Sequence, residues 1–253
     1  KADLILLDSL EEAIPSLVMS DGKIVAENGR MKISIDKRKF PDSAYHSMYI
    51  EHVCEKDFEI PCSGSAALVN VIVQDGKTSR THLEQKMCLV ENGLLKQGDL
   101  VKMAVFNRYK NNNNRSIALI GNLSGFRGAL ATTYAHDCHN LTVYGSNDKD
   151  MCLASNTVIS TGGGVAAVQD GQVLCSIPLP IAGLLCEDDI RTLSDKFSIF
   201  NKTCEKMGLN HEEPLTFITL MTLAVSPNVK LTDMGIVDVT SKRFLPLIAK
   251  ILD

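Results

Sequence analysis

His136, Asp137, Cys138, His139 and Asn140 place two imidazoles, a carboxylate, a thiol and an amide in one short stretch of this 253-residue chain. Three kinds of chemistry are open to such a set: a thiol nucleophile with its base, a metal site, or polar contacts to a substrate or partner. A nucleophilic Cys–His pair needs thiol and imidazole within hydrogen-bond reach. Cys138 and His139 are sequence neighbours, and on a strand neighbours point to opposite faces, which argues against a nucleophile. His136 and His139 are three apart, a chelating spacing on a helix, yet the flanking runs favour strand. Joint metal binding therefore needs a turn at Asp137-Cys138 and further ligands from elsewhere. The plainer reading is a polar corner between two strands, in which Asp137 and Asn140 satisfy backbone groups of the turn. The other reading is a surface that meets substrate or a partner chain.

The elements around the corner can be read in order. GALATTYA before it and NLTVYGS after it are apolar, β-rich runs. Asp148 to Ser160 follows as a helix, with Asn147 or Asp148 as cap, Met151, Ala154 and Val158 on one face, and glycines 162–164 as its stop. GVAAVQDGQVLCSIPL is a hairpin turning at Asp170-Gly171. Between Glu187 and Met207 a second helix carries Ile190, Leu193, Phe197, Phe200, Cys204 and Met207 as a core stripe, with acids in its first turn and Gly208 closing it. PLTFITLMTLAV is too uniformly apolar for periodicity to separate strand from helix. Upstream, AALVNVIVQ and the run after it are strands with turns at Asp75-Gly76 and Asn92-Gly93. DLVKMAVFNRY and RSIALIGNL are two more, around an exposed asparagine loop at 111–114. At the start, ADLILLD is a strand and SLVMSDGKIVAENGR a hairpin turning at Asp21-Gly22, while residues 31–65 form a polar, turn-rich crossing. The expected fold is α+β: mostly antiparallel sheets with a few packed helices, plus a small N-terminal β appendage. That appendage is too small to be stable alone and must lean on other material.

Composition narrows the function classes. A formal net charge of −4 argues against a nucleic-acid binder, which carries a basic stripe. The longest basic cluster, Lys37-Arg38-Lys39, reads as a solvated turn. No apolar run approaches the roughly 20 residues of a membrane helix, and no secretory signal opens the chain. Eight scattered cysteines without a C-x-x-C pair suit reduced, mostly buried thiols of the cytoplasm rather than disulfides or a zinc knuckle. Gly162-Gly163-Gly164 runs from helix to strand, the reverse of a phosphate loop. Lys230, Thr232 and Asp233 read as a capped turn, and His46, His52, His82 and His211 as isolated surface or core residues.

In order along the chain, GFRGALATTYAHDCHN, VYGSNDKDM, GGGVAAVQDGQVL, LPIAGL and VKLTDMGIVDV resemble the C-terminal domain of bacterial adenine deaminases, over roughly residues 55 to 240. Residues 1–32 are similar to the last strands of the small β domain of metal-dependent amidohydrolases. The resemblance implies three parts: 1–32 as the end of that β domain, 33–65 as a connecting segment, and 66–253 as the C-terminal domain. It implies adenine as substrate, hydrolysed to hypoxanthine and ammonia by water activated on a divalent pair of manganese or iron. It also implies a homo-oligomer and a place in purine salvage. Amidohydrolases hold their metals on a catalytic barrel that opens with an H-x-H pair. This chain has neither H-x-H nor eight strand–helix units, so the metal ligands are expected on a barrel domain outside it. The family's His-Asp-x-His-Asn falls on His136, Asp137, His139 and Asn140. Cys138 stands where serine is usual, and Tyr134 where a smaller apolar residue is. His136 and Asp137 are then expected to bond to the purine or support those that do, and not to be the base that activates water. The alternatives are an interaction module without a catalytic part and an autonomous metal site at His136 and His139.

Overall fold

The computed structural model describes residues 2–35, 39–76, 78–109, 112–211 and 213–253. Lys37 and Arg38 of the basic tripeptide, and Asn111 of the asparagine loop, lie outside the described residues. Contacts group residues 1–40 and 41–253 as two units.

The first unit is a four-stranded antiparallel sheet in chain order, β1 (Leu4–Leu7), β2 (Pro15–Ser20), β3 (Lys23–Glu27) and β4 (Arg30–Met31). Asp21 and Gly22 sit at φ 52° and 76°, the left-handed pair that a two-residue hairpin needs to follow strand twist.

The second unit is built on a ten-stranded sheet. Its strands are β5 (Ala66–Gln74), β6 (Thr81–Glu91), β7 (Leu94–Leu95), β8 (Val101–Phe106), β9 (Arg115–Ile120), β10 (Ala129–Thr132) and β11 (Leu141–Gly145), then β12 (Gly164–Gln169) and β13 (Gln172–Pro178). Helix α1 (Asp148–Ser160) precedes β12, while α2 (Ile190–Lys206) and α3 (Pro214–Leu220) follow β13. A separate three-stranded sheet holds β14 (Val229–Thr232), β15 (Gly235–Asp238) and β16 (Arg243–Leu245), and β17 (Ile248–Leu252) returns to pair with β5. The order is β13-β12-β10-β11-β8-β9-β5-β6-β7. Among the described residues only the short β5–β9 pairing is parallel, so the α+β, mostly antiparallel reading holds.

The sheet is covered on both faces. Alternation along each strand sends Leu130, Tyr144 and Val165 into one cluster with Phe200, Cys204, Met207 and Phe217 of α2, its end and α3. It sends Ala129, Ala131, Val143 and Ala166 into another with Met151, Ala154 and Val158 of α1. The alanines are what let α1 lie close: even at Gly145 an added Cβ would overlap Met151. Asn147 caps α1, its side chain accepting from the Asp150 N–H. Asp150, itself buried, accepts from the backbone N–H of Asp170 and Gly171, which ties the helix start to the β12–β13 turn.

Two details differ from the sequence reading, and one that it left open is decided by the structure. α2 begins at Ile190 with Asp189 as cap, so the acids stand before the first turn and not in it. Ile190 is exposed and only the stripe from Leu193 onward packs inward, because the helix approaches the sheet at its C-terminal half. PLTFITL forms the short helix α3, with Pro214 in its first turn.

Candidate functional site

The corner 133–140 links two interior strands, β10 and β11, which pair antiparallel. It is a turn and not a continuation of either strand: the His139 N–H donates to the Ala135 carbonyl at 2.7 Å, and His139 has φ +48°. The opposite-faces argument for Cys138 and His139 therefore does not apply as stated. Its conclusion stands on other grounds, since burial pushes the Cys138 thiol above its usual pKa, and thiolate is the nucleophilic form.

The turn gathers three rings. Tyr134 and His136 have centroids 5.3 Å apart, Tyr134 and His139 6.2 Å, and His136 and His139 6.5 Å. His139 is held neutral, chiefly by burial and then by the Arg108 and His136 charges, which lower its pKa. Its Nδ1 is buried without a hydrogen-bond partner. Asp137 is exposed. Asn140 is buried, and its Oδ1 accepts from the Arg108 backbone N–H at 3.4 Å. Asn140 thus serves the neighbouring strand's extension and not the turn's own backbone.

Beneath the turn lies a residue the sequence did not single out. Arg108 is 1 % exposed and faces carbonyls in place of a carboxylate. Its Nε donates to His139 O, Nη1 to Ser47 O at 3.0 Å and to Ser47 Oγ at 3.1 Å, and Nη2 to Ala182 O at 2.8 Å. Burial lowers its pKa, yet an arginine remains charged at any working pH. One guanidinium thereby pins three segments: the turn, the crossing segment at Ser47, and the loop after β13. Tyr109 packs its ring 4.8 Å from the Arg108 Cζ and donates its hydroxyl to Cys138 O at 2.9 Å. Thr222 donates to His136 O at 3.0 Å. The close approach depends on Gly183, where φ is +71° and a Cβ would stand 2.9 Å from Arg108 Nη1. Nothing in FNRY distinguishes an inward arginine from a solvated one. The only hint was LPIAGL, whose glycine has no strand or helix to interrupt.

Asp137 and Cys138 also line an open cleft of about 510 Å³, with Thr222, Val225, Met234 and Phe244 on its other walls. Val225, Met234 and Phe244 are all more than half exposed, so the polar turn borders an apolar surface.

Of the other sequence candidates, Thr232 and Asp233 reach this cleft, whereas Lys230 and the isolated histidines do not line it. Thr232 closes the β14–β15 turn through Gly235 O and Met234 N, and Asp233 accepts from Asn107. Lys230 is fully buried against Ser79 O. His46 bonds Asp42 O, His52 bonds Ser160, and His82 lies between Asp75 and Glu84.

A family model described as the adenine deaminase C-terminal domain matches residues 78–243. The chain belongs to the adenine deaminase C-terminal domain family. Proteins named adenine deaminase from Kosmotoga olearia and Clostridium botulinum are 34 % and 33 % identical over 98 % and 97 % of the chain, and one from Moorella thermoacetica is 32 % identical over 98 %. These matches cover only 42–43 % of the relatives, so the chain spans less than half their length. The order of motifs that carried the resemblance is thus the order of a real family, and the His136–Asn140 corner lies inside the matched region.

A pair of divalent ions does not fit this adenine deaminase C-terminal domain. Such a pair needs several anionic or imidazole donors converging on one point. Among the described residues no group of three or more His, Cys, Asp or Glu could hold even one ion. At the corner Asn140 is committed to Arg108, and Cys138 is held as a neutral thiol. No helix of the described residues is long and apolar enough to cross a membrane.

Proposed function

We propose that this chain is the C-terminal part of an adenine deaminase, which hydrolyses adenine to hypoxanthine and ammonia, and that it works by closing the purine pocket. The relatives' name supports the activity. The observation that carries the role is the corner: a rigid polar edge, clamped from below by Arg108, that presents Asp137 and the Tyr134–His136–His139 rings beside an apolar cleft. Such an edge suits hydrogen bonds and stacking to a planar heterocycle. His136 and Asp137 would bond to the purine or orient groups that do, with His139 and Asn140 fixing the turn.

On this reading the manganese or iron pair, and the base that activates water, belong to a barrel domain outside this chain. Residues 1–32 end the small β domain, 33–65 connect, and 66–253 form the C-terminal domain. The whole enzyme is a cytoplasmic homo-oligomer of purine salvage. The apolar rim at Val225, Met234 and Phe244 favours a second reading, in which the same face is a subunit contact with no part in turnover.

The two separate in one experiment on the complete enzyme with Mn²⁺. Asp137→Asn and His136→Ala should lower kcat/KM for adenine by at least about tenfold, roughly 1.4 kcal/mol of transition-state stabilisation, without changing subunit number. Unchanged ammonia release together with altered association would move the corner to the interface reading. A barrel lacking this region that keeps full rate and assembly would remove both.

A further inference from the structure

The two ends of the large sheet are finished differently. β13, at one end, carries an extra residue, Leu174, opposite Ala167 and Val168, and closes on Pro178. A bulge and a proline both stop another strand from adding. β6, beside the two-residue β7 at the other end, has neither: its register with β5 runs unbroken from Thr81 to Leu89, and it contains no proline. The direction of its backbone groups follows from its two ends. Thr81 donates its N–H to Pro227 O at 3.3 Å and accepts from the Asn228 N–H at 3.2 Å, while Leu89 O accepts from the Lys96 N–H at 2.8 Å. These bonds turn Thr81 and Leu89 away from β5. Groups alternate sides along an antiparallel strand, so Leu83, Gln85 and Met87 also point N–H and C=O outward. Among the described residues none of those groups has a partner. Gln85 is exposed and Met87 is 68 % exposed, which leaves the edge open. A cavity of about 360 Å³ adjoins it, lined by Met87, Leu89 and Leu100 with Lys86 and Lys96.

An open row of backbone donors and acceptors specifies its occupant, an extended chain that adds as the next strand. The flanks set its length. Asn228 beside Thr81 and Lys96 beside Leu89 hold the places a longer strand would take. The eleven-residue β6 of a second copy is therefore shut out, whereas a segment of about five residues, roughly 17 Å, fits. Charge sets its direction and sequence. Glu84 and Lys86, 3.7 Å apart, fall at the non-hydrogen-bonded positions of an added antiparallel strand, where facing side chains come closest. They favour a basic residue opposite Glu84 and an acidic one opposite Lys86, with apolar residues opposite Leu83 and Met87. We propose that the β6 edge receives a free linear segment of a partner protein as an antiparallel strand, reading apolar–acidic–any–basic–apolar from its N-terminal end. This surface does not depend on the role of the His136–Asn140 corner.

The probe is acetyl-Val-Glu-Val-Lys-Val-amide, titrated into the 253-residue chain with the amide shifts of Leu83, Gln85 and Met87 followed by NMR. Saturable binding below about 1 mM is expected. N-methylation of the central valine removes the N–H that meets Gln85 O, and acetyl-Val-Lys-Val-Glu-Val-amide sets like charges opposite Glu84 and Lys86; each should bind at least about tenfold more weakly. Met87→Pro deletes an outward N–H that the ladder to β5 does not use, and should weaken binding as much. Should that variant fail to fold, Glu84→Lys combined with Lys86→Glu decides, since both side chains are partly exposed and the preference between the two charged peptides should reverse. No amide shift at millimolar peptide overturns the proposal, as does equal binding of the N-methylated peptide or an unreversed preference in the exchanged variant. Self-association of the chain that Met87→Pro abolishes would give the edge to a second copy and overturn it too.

Discussion

Replacing Arg108 with Met is the sharpest test of how the corner is held. The side chain is buried and its donors end on three backbone carbonyls, Ser47 O, His139 O and Ala182 O. Methionine fills similar volume but donates nothing. Each buried acceptor left unpaired costs about 1–3 kcal/mol, so the gross loss is about 3–9 kcal/mol. Against it stands relief of the guanidinium's own desolvation, the effect that lowers its pKa. The net cost should therefore fall in the lower half of that range, about 3–5 kcal/mol. Urea unfolding measures it, and amide shifts of residues 133–140 report whether the turn loosens. Arg108→Lys keeps charge and length but offers three donors from one point in place of a planar fork, and should lose about half as much. Because a domain has only about 5–15 kcal/mol in total, the lysine variant is the one to fall back on if the methionine variant does not fold. A cost under about 1 kcal/mol for Arg108→Met, with the turn's amide shifts unmoved, would refute the clamp.

Gly183→Ala should cost about 2–4 kcal/mol in the same assay, combining a left-handed φ with a Cβ driven against an arginine that cannot retreat; a change within about 0.5 kcal/mol would contradict the close approach. Lys230→Met should stabilise the chain at neutral pH. Burial pushes the Lys230 pKa from 10.5 down to about 8, so folding works against its charge below about pH 8, and that penalty fades as pH rises towards 10.5, where the unfolded chain also releases the proton. After allowance for screening and for the lost bond to Ser79 O, the gain should be about 1–2 kcal/mol at pH 7 and vanish near pH 10.5. A variant that is less stable at pH 7, or whose advantage grows with pH, would show that the ammonium is well accommodated.

Much of this fold was legible in the sequence because it is governed by local rules. Hairpins at Asp21-Gly22 and Asp170-Gly171 follow from residues that tolerate left-handed backbone, and α1 starts where Asn147 can accept an amide and stops at three glycines. The two β-rich runs around His136–Asn140 announced paired strands with a polar corner between them. The order of motifs was enough to name the family, because a family is defined by such an order.

Tertiary structure alone decided the rest. A uniformly apolar segment such as PLTFITL has no period, so its helix is settled by the space left over the sheet between α2 and β14. The inward turn of Arg108 is equally silent in sequence, since its partners are backbone carbonyls of Ser47, His139 and Ala182, far apart along the chain and without side-chain signature. Local propensity is written residue by residue, whereas a clamp made of backbone carbonyls exists only once distant segments have been brought together.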